Sequence, residues 1–151
     1  MKISQILLLG ILVFFTASCE EDPNSPYLEF TGGGFIFNYR IGEAFYGCIL
    51  TPLRTIPVGT KITAEFEDPA GGPPLIVSQL SQKGQIQYSF RTPGIKQIKK
   101  GRPYLVTVSL LDVKKDTVFA EYTHHFASSI DQSTLPGKAL TIGPGYHPNP
   151  D

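Results

Sequence analysis

Apolar and polar residues alternate over residues 104–111, and this pattern limits the possible folds more than any other part of the chain. Every second residue from Tyr104 to Leu110 is tyrosine, valine or leucine, and in an extended strand these side chains point to one face. A polar segment follows at residues 112–117, and a second apolar-rich run occupies residues 118–126. The pattern predicts an antiparallel hairpin at the centre of a β-sandwich.

Five further segments have strand patterns and are separated by turns rich in glycine, proline or polar residues. With the hairpin they give seven predicted strands: residues 35–41, 45–51, 61–67, 75–80, 85–90, 104–112 and 118–126. Ile86, Tyr88 and Phe90 are expected to share one face of the fifth strand. A brief edge strand is predicted at residues 27–30, followed by a turn or bulge at residues 32–34. No segment shows a sustained helical period, so the predicted fold class is an all-β, seven-stranded antiparallel sandwich.

Residues 1–18 have the organisation of a cleaved signal peptide. The apolar run at residues 6–15 is too short for a comfortable membrane span, and small residues at positions 16–18 precede Cys19. This site resembles the lipobox of bacterial lipoprotein precursors, with Thr16 where leucine is usual and with matches at Ala17, Ser18 and Cys19. The resemblance implies cleavage before Cys19 and acylation of that residue, so that lipid chains anchor the protein in a membrane. The alternative is an ordinary secretory signal in which Cys19 is incidental.

The residue after the acylated cysteine bears on the membrane to which such lipoproteins are sent. Aspartate there tends to retain a lipoprotein at the inner membrane, whereas this chain has Glu20. The resemblance therefore implies anchoring in the outer membrane, with the domain facing the periplasm. Residues 20–22 also resemble the acidic tag with which some Gram-negative groups display lipoproteins on the cell surface. A solvated acidic linker is the simpler interpretation.

A short motif precedes the central hairpin. Four residues resemble the Leu-x-Pro-Gly-x-x-Tyr-x-Val corner of fibronectin type III domains, with Lys100 in place of the proline: Ile98, Gly101, Tyr104 and Val106. The resemblance implies an immunoglobulin-like sandwich in which the Tyr104 hydroxyl hydrogen-bonds back across the turn at the start of the sixth strand. The whole chain also resembles small uncharacterised lipoproteins of Gram-negative bacteria, a resemblance that implies no activity.

Four segments follow from these patterns: a signal peptide at residues 1–18, a lipidated tether at 19–26, a β-sandwich domain at 27–127 and a Pro/Gly-rich extension at 128–151. The last nine residues contain three prolines and two glycines, a composition that excludes a strand in mid-sheet. The extension is expected to be mobile or to lie along the domain in extended form.

Composition and charge narrow the classes of partner. The chain has 13 basic and 13 acidic residues, and zero net charge argues against a nucleic-acid partner and against a basic membrane patch. With Cys19 assigned to the lipid, Cys48 has no partner for a disulfide, and its apolar neighbours predict a buried, inert thiol.

Metal and cofactor sites are not predicted. His124 and His125 are adjacent on a strand, so they face opposite sides and cannot chelate one ion together. One partly buried and two exposed histidines are expected. Glu65, Glu67 and Asp68 beside a glycine-rich loop match no calcium-loop spacing and are interpreted as a solvated strand face.

Two functional hypotheses remain open. The first is a non-catalytic, lipid-anchored envelope protein that acts as a binding or assembly module for another envelope protein or a glycan. Its candidate contact regions are residues 68–74, 96–102 and 112–117, together with the aromatic-proline tail at 144–148. The second is an envelope hydrolase with a loop-built site. No catalytic residue is predicted, because the sequence contains neither a nucleophile elbow nor a recognisable Cys-His arrangement.

Overall fold

The computed structural model describes residues 22–150. This part of the chain contains nine strands: β1 (Leu28–Asn38), β2 (Glu43–Pro52), β3 (Lys61–Phe66), β4 (Leu75–Leu80), β5 (Tyr88–Arg91), β6 (Pro103–Asp112), β7 (Thr117–Ala127), β8 (Thr141–Ile142) and β9 (His147–Pro148). The first seven form a three-stranded sheet, β1-β2-β5, and a four-stranded sheet, β4-β3-β6-β7, while β8 pairs with β9. Every paired strand is antiparallel, so the prediction of an all-β antiparallel fold is confirmed.

One apolar core lies between the two larger sheets. In β6 the alternate residues from Tyr104 to Leu110 are fully buried, as the sequence pattern predicts. In β2 the inward-facing set is Ala44, Tyr46, Cys48 and Leu50. The Tyr46 ring lies 5.0 Å from the ring of Phe66 on β3, so aromatic contacts join the two layers.

The predicted edge strand at residues 27–30 and the predicted strand at residues 35–41 are parts of a single strand, which ends at Asn38. β1 runs through all three glycines, and its register against β2 shifts between Phe30 and Gly32. The bulge therefore lies at Thr31, just before the predicted position, whereas residues 32–34 pair regularly with residues 47–49 of β2 and the predicted turn is wrong. Gly33 has a φ of 147°, and an added Cβ would lie 2.6 Å from Cζ of Phe126 and 2.7 Å from the Gly47 carbonyl oxygen. The glycine lets β1 pass close to β7.

The fifth strand is shorter than predicted. It begins at Tyr88, and residues 81–87 form a loop. The side-chain oxygen of Gln85 accepts from the Gln82 amide at 3.2 Å, and its nitrogen donates to the Gln87 carbonyl at 3.1 Å. These local bonds compete with strand pairing, and Ile86 is 81% exposed instead of sharing the buried face of Tyr88.

The corner before β6 contains the hydrogen bond that the sequence predicts. The Lys99 amide donates to the hydroxyl of Tyr104 at 2.9 Å. The Tyr104 carbonyl in turn accepts from the Tyr46 hydroxyl at 2.8 Å. Tyr104 thus holds the 92–102 connection through its hydroxyl and the opposite sheet through its backbone carbonyl.

The C-terminal extension lies against the domain, but not as one extended segment. It contains a short 3-10 helix (Gln132–Thr134) and the β8–β9 hairpin. The amides of Leu140 and Thr141 both donate to the Arg40 carbonyl, at 2.8 and 3.0 Å. Prolines exclude the tail from the large sheets, yet a hairpin of two-residue strands tolerates them.

The loops divide between two ends of the sheet pair. Residues 53–60, 81–87 and 113–116 lie at the end where residues 22–27 enter β1, which we call the tether end. Residues 39–42, 67–74 and 92–102 lie at the opposite end with the extension, which we call the distal end.

No helix within residues 22–150 is long and apolar enough to cross a membrane.

Candidate functional site

The structure assigns the three predicted contact loops to different ends. Residues 68–74 and 96–102 lie at the distal end, and residues 112–117 lie at the tether end. The aromatic-proline tail at 144–148 is part of the extension and joins the distal group. Cys19, the predicted lipid-attachment residue, lies outside the described residues.

A cleft at the distal end has a volume of about 450 Å³. Its walls come from the start of β2, from residues 94–97 and from residues 132–137 of the extension. We call it the distal cleft. Its side chains include the carboxylate of Glu43, the ammonium group of Lys96 and the amides of Gln97 and Gln132.

Gln132 gives the distal cleft an unsatisfied hydrogen-bond acceptor. Its side-chain Oε1 is buried and has no hydrogen-bond partner among residues 22–150. Its backbone amide donates to the Ile98 carbonyl at 2.9 Å, which fixes the residue against the domain. A buried acceptor without a donor costs about 1–3 kcal/mol, and such groups in native proteins call for an explanation.

Asp131 holds the 3-10 helix that carries Gln132. Its carboxylate accepts from the backbone amide of Ser133 at 3.1 Å and from the Ser133 hydroxyl at 2.9 Å. These two bonds hold the pKa of Asp131 below its usual range, so the cap is charged at neutral pH.

The residues beside Lys96 are fixed by packing. Ile95 and Ile98 are both buried, and the turn between them places Gln97 at a φ of 64°. Left-handed conformations are uncommon for residues other than glycine. The two isoleucines anchor the segment, so Lys96 and Gln97 are presented to solvent on a rigid turn.

A second open groove, of about 300 Å³, lies on the outer face of the three-stranded sheet. Gly34 and Gly47 pair across its floor, where neither residue places a side chain. Ile36 is 53% exposed at its margin, and the guanidinium of Arg91 lies 4.7 Å from the centre of the Phe45 ring. The groove presents a mixed apolar and cationic surface.

The carboxylates near the 67–74 loop are used structurally. Glu67 accepts from the Arg102 guanidinium at 2.7 Å and from the Leu105 amide at 3.0 Å. Asp68 accepts from the amides of Ala70 and Gly72. Within residues 22–150 no group of three or more His, Cys, Asp or Glu side chains is placed to hold a metal ion.

The histidines do not form a common site. The His124 ring stacks on Phe30 at 5.1 Å and lies tilted against Phe126 at 4.4 Å, while His125 belongs to the opposite face of β7. All three histidines are exposed, so the expectation of one partly buried histidine is wrong. His124 does lie on the inner face, but β7 is an edge strand and covers it incompletely.

Burial raises the pKa of the Cys48 thiol from 9.0 to about 12. The thiol is therefore protonated at neutral pH and is buried between the sheets, as expected for an inert cysteine. Burial also raises the pKa of Tyr46 and of Tyr88.

These shifts predict loss of stability in alkali. When a group has a higher pKa in the folded protein than in the unfolded chain, its contribution to stability is complete at pH values below the unfolded pKa. That contribution is lost as the pH rises through the folded pKa. We expect the free energy of unfolding to fall as the pH rises from 9 towards 12. Urea unfolding across that range measures the effect. In Cys48→Ala the decline should begin about one pH unit later, where tyrosines start to ionise. Coincident pH profiles for the two proteins would contradict this assignment.

No family model and no curated protein matches the sequence. Among solved structures, the fold is similar to part of a Bacteroides uniformis β-glucuronidase crystal structure, with a TM-score of 0.43 and 14% sequence identity. The match covers 67% of this chain and 12% of that chain. A likeness this weak carries no inference about function.

The distal cleft could not be recognised in the sequence. Glu43 and Gln132 are far apart in the chain, and each is an ordinary polar residue beside a turn. The walls come together where the extension docks on the 92–102 connection and on the β1–β2 turn.

Proposed function

We propose that this protein is a non-catalytic, lipid-anchored module of the bacterial envelope that binds another envelope protein or a glycan at its distal end. Cys19 is the anchor, in the outer membrane and on its periplasmic side. The observation that carries the proposal is the separation of the two ends. The chain enters the domain at the tether end, close to Cys19, whereas the distal cleft and two predicted contact loops lie at the far end.

The architecture of this module is proposed to be the immunoglobulin-like sandwich. Three observations support it: the division of seven strands into sheets of three and four, the start of the sixth strand at the corner, and the Lys99–Tyr104 hydrogen bond. Recognition in such sandwiches commonly resides in the loops at one end.

The distal cleft has the chemistry to bind a polar ligand. Gln132 Oε1 provides a buried acceptor, Glu43 a carboxylate, and Lys96 and Gln97 provide donors. An open cleft with a few convergent polar groups suits the hydroxyl and amide groups of a glycan or of a peptide backbone.

The anchor is tested by Cys19→Ser. Without the thiol no lipid can be attached, so the variant should move almost entirely from the membrane to the soluble fraction of lysed cells. Several acyl chains bind a bilayer practically permanently, so the expected change is close to complete. Fractionation with immunoblotting measures it, and Cys48→Ser is the matched control that keeps the anchor. Retention of Cys19→Ser in membranes would refute lipid anchoring.

Binding at the distal end is tested separately by site-specific photocrosslinking in intact cells. A crosslinking residue at Lys96 should capture an envelope protein or glycan, and Gln132→Ala in the same protein should weaken that capture. The matched control places the crosslinker at Lys83, which is exposed at the tether end. Equal products from both positions, or none from Lys96, would contradict the proposed site.

A further inference from the structure

The tether end presents apolar side chains on loops from both sheets. Val58 on the β2–β3 loop is 70% exposed, Ile86 on the β4–β5 loop 81%, and Val113 on the β6–β7 loop 54%. Leu53, just after β2, is 45% exposed. We call these four residues the apolar rim.

Val58 joins three of the four residues of the apolar rim. Val58 and Leu53 line a cleft of about 300 Å³ that they share with residues 82–85 of the β4–β5 loop. Val58 also lines a second cleft, of about 390 Å³, with Val113. The three loops therefore meet around Val58. Exposed apolar side chains grouped in this way are typical of contact surfaces.

Hydrogen bonds fix the loop that carries Val58. The Ser81 amide donates to the Thr60 carbonyl at 2.9 Å, and the Ser81 hydroxyl donates to the Pro57 carbonyl at 2.6 Å. The Gly59 amide donates back to the Ser81 carbonyl at 3.1 Å. Val58 lies between Pro57 and Gly59, which both hydrogen-bond to Ser81. These bonds join the β2–β3 and β4–β5 loops and hold the Val58 side chain in its exposed position.

The tether is held against the same end. Arg54 Nη1 donates to the carbonyls of Pro23 and Ser25, at 2.7 and 3.3 Å, and its guanidinium lies 4.2 Å from the centre of the Tyr27 ring. Cys19 is three residues before Asp22, and three residues reach about 10 Å at most. A lipid at Cys19 therefore places the tether end beside the bilayer surface.

We propose that the apolar rim docks on the lipid surface in which Cys19 is anchored and holds the distal end away from the membrane. This inference rests on the lipid anchor of the proposed function. The occupant is lipid because the short tether brings the rim to a bilayer. The rim's side chains would enter the boundary between headgroups and acyl chains, while Lys83 and Lys114 beside them would meet headgroup phosphates.

Depth-sensitive fluorescence on the full lipidated protein tests the docking. The protein is reconstituted in vesicles of phosphatidylethanolamine and phosphatidylglycerol, with an environment-sensitive fluorophore on Lys83→Cys, Lys114→Cys or Lys138→Cys. The buried Cys48 serves as the unlabelled background, checked in the parent protein. We expect doxyl-labelled lipids to quench the probes at positions 83 and 114, and not the probe at position 138 of the distal end.

Substitutions in the rim distinguish docking from mere proximity. Val58→Ser with Ile86→Ser should abolish the quenching at position 83 while the protein still floats with vesicles. The matched control, Leu140→Ser with Ile142→Ser, removes exposed apolar groups at the distal end and should leave the quenching unchanged.

The remaining outcomes separate the two proposals. The docking would be overturned, with the anchor intact, if vesicle-bound protein showed no quenching at positions 83 and 114. It would also be overturned if the probe at position 138 were quenched equally. A probe response that depends on protein concentration but not on doxyl lipid would indicate a second copy and would also overturn it. Failure of the protein to float with vesicles would instead refute the anchor.

Discussion

Replacing Gly33 with alanine is expected to lower the free energy of unfolding by about 3 kcal/mol, a typical cost of overpacking combined with backbone strain. The added Cβ would lie 2.7 Å from the Gly47 carbonyl oxygen and 2.6 Å from Cζ of Phe126. The ring of Phe126 can shift, but the Gly47 carbonyl belongs to the paired strand β2 and cannot move without disturbing the ladder. Urea unfolding measures the change.

The control for this prediction is the next glycine. Gly34 has a φ of 131°, similar to that of Gly33, but an added Cβ there has no atom within 4 Å. Gly34→Ala should therefore carry only the backbone strain, about 1 kcal/mol. If the two variants lose the same stability, the close approach of β1 to β2 and β7 is not what selects glycine at position 33.

Replacing Tyr46 with alanine is expected to cost about 4 kcal/mol, within the usual range for deleting a large aromatic side chain from a core. Its ring is fully buried and stacks on Phe35 at 4.3 Å, besides contacting Phe66 of the opposite sheet. The cavity would open between the two layers, where both sheets are hydrogen-bonded and cannot collapse freely. Thermal or urea unfolding measures the loss.

Tyr46→Phe removes only the hydroxyl and keeps the ring. It therefore tests the role of Tyr46 even if the alanine variant does not fold. It retains the stacking but leaves the Tyr104 carbonyl without the donor that lies 2.8 Å away. We expect a loss of about 1 kcal/mol, the usual value of one buried hydrogen bond. An unchanged stability would show that the inter-sheet hydrogen bond contributes nothing.

The sequence predicts the fold wherever local pattern and burial coincide. The alternation from Tyr104 to Leu110 identifies β6 and its buried face, because a central strand between two partners has one side in the core. It fails at Ile86, where the Gln85 side chain hydrogen-bonds the backbone of residues 82 and 87 and holds a loop that periodicity does not reveal. The sequence pattern also wrongly divides β1 into two strands, because three consecutive glycines indicate a break when the neighbouring strands are not considered.

The candidate site depends on contacts that no local pattern encodes. Gln132 belongs to the distal cleft because Asp131 caps the single helical turn that carries it and because its amide donates to the Ile98 carbonyl. Proline and glycine content correctly excludes the tail from the large sheets, but it does not indicate where the tail docks. Glu65, by contrast, is exposed on the outer face of β3, as alternation predicts, whereas Glu67 and Asp68 are half-buried and accept hydrogen bonds from backbone amides.

The extension has a consequence for how the distal cleft is completed. Residues 132–137 close the cleft, and the hydrogen bond from the Thr141 hydroxyl to the Arg40 carbonyl joins residues 101 positions apart in the chain. Contacts of such long range form late in folding, because the intervening loop must be ordered first. Under the proposed function, a ligand that needs the complete cleft would bind only molecules in which the extension has docked, and a variant truncated after β7 would lose binding at the distal end.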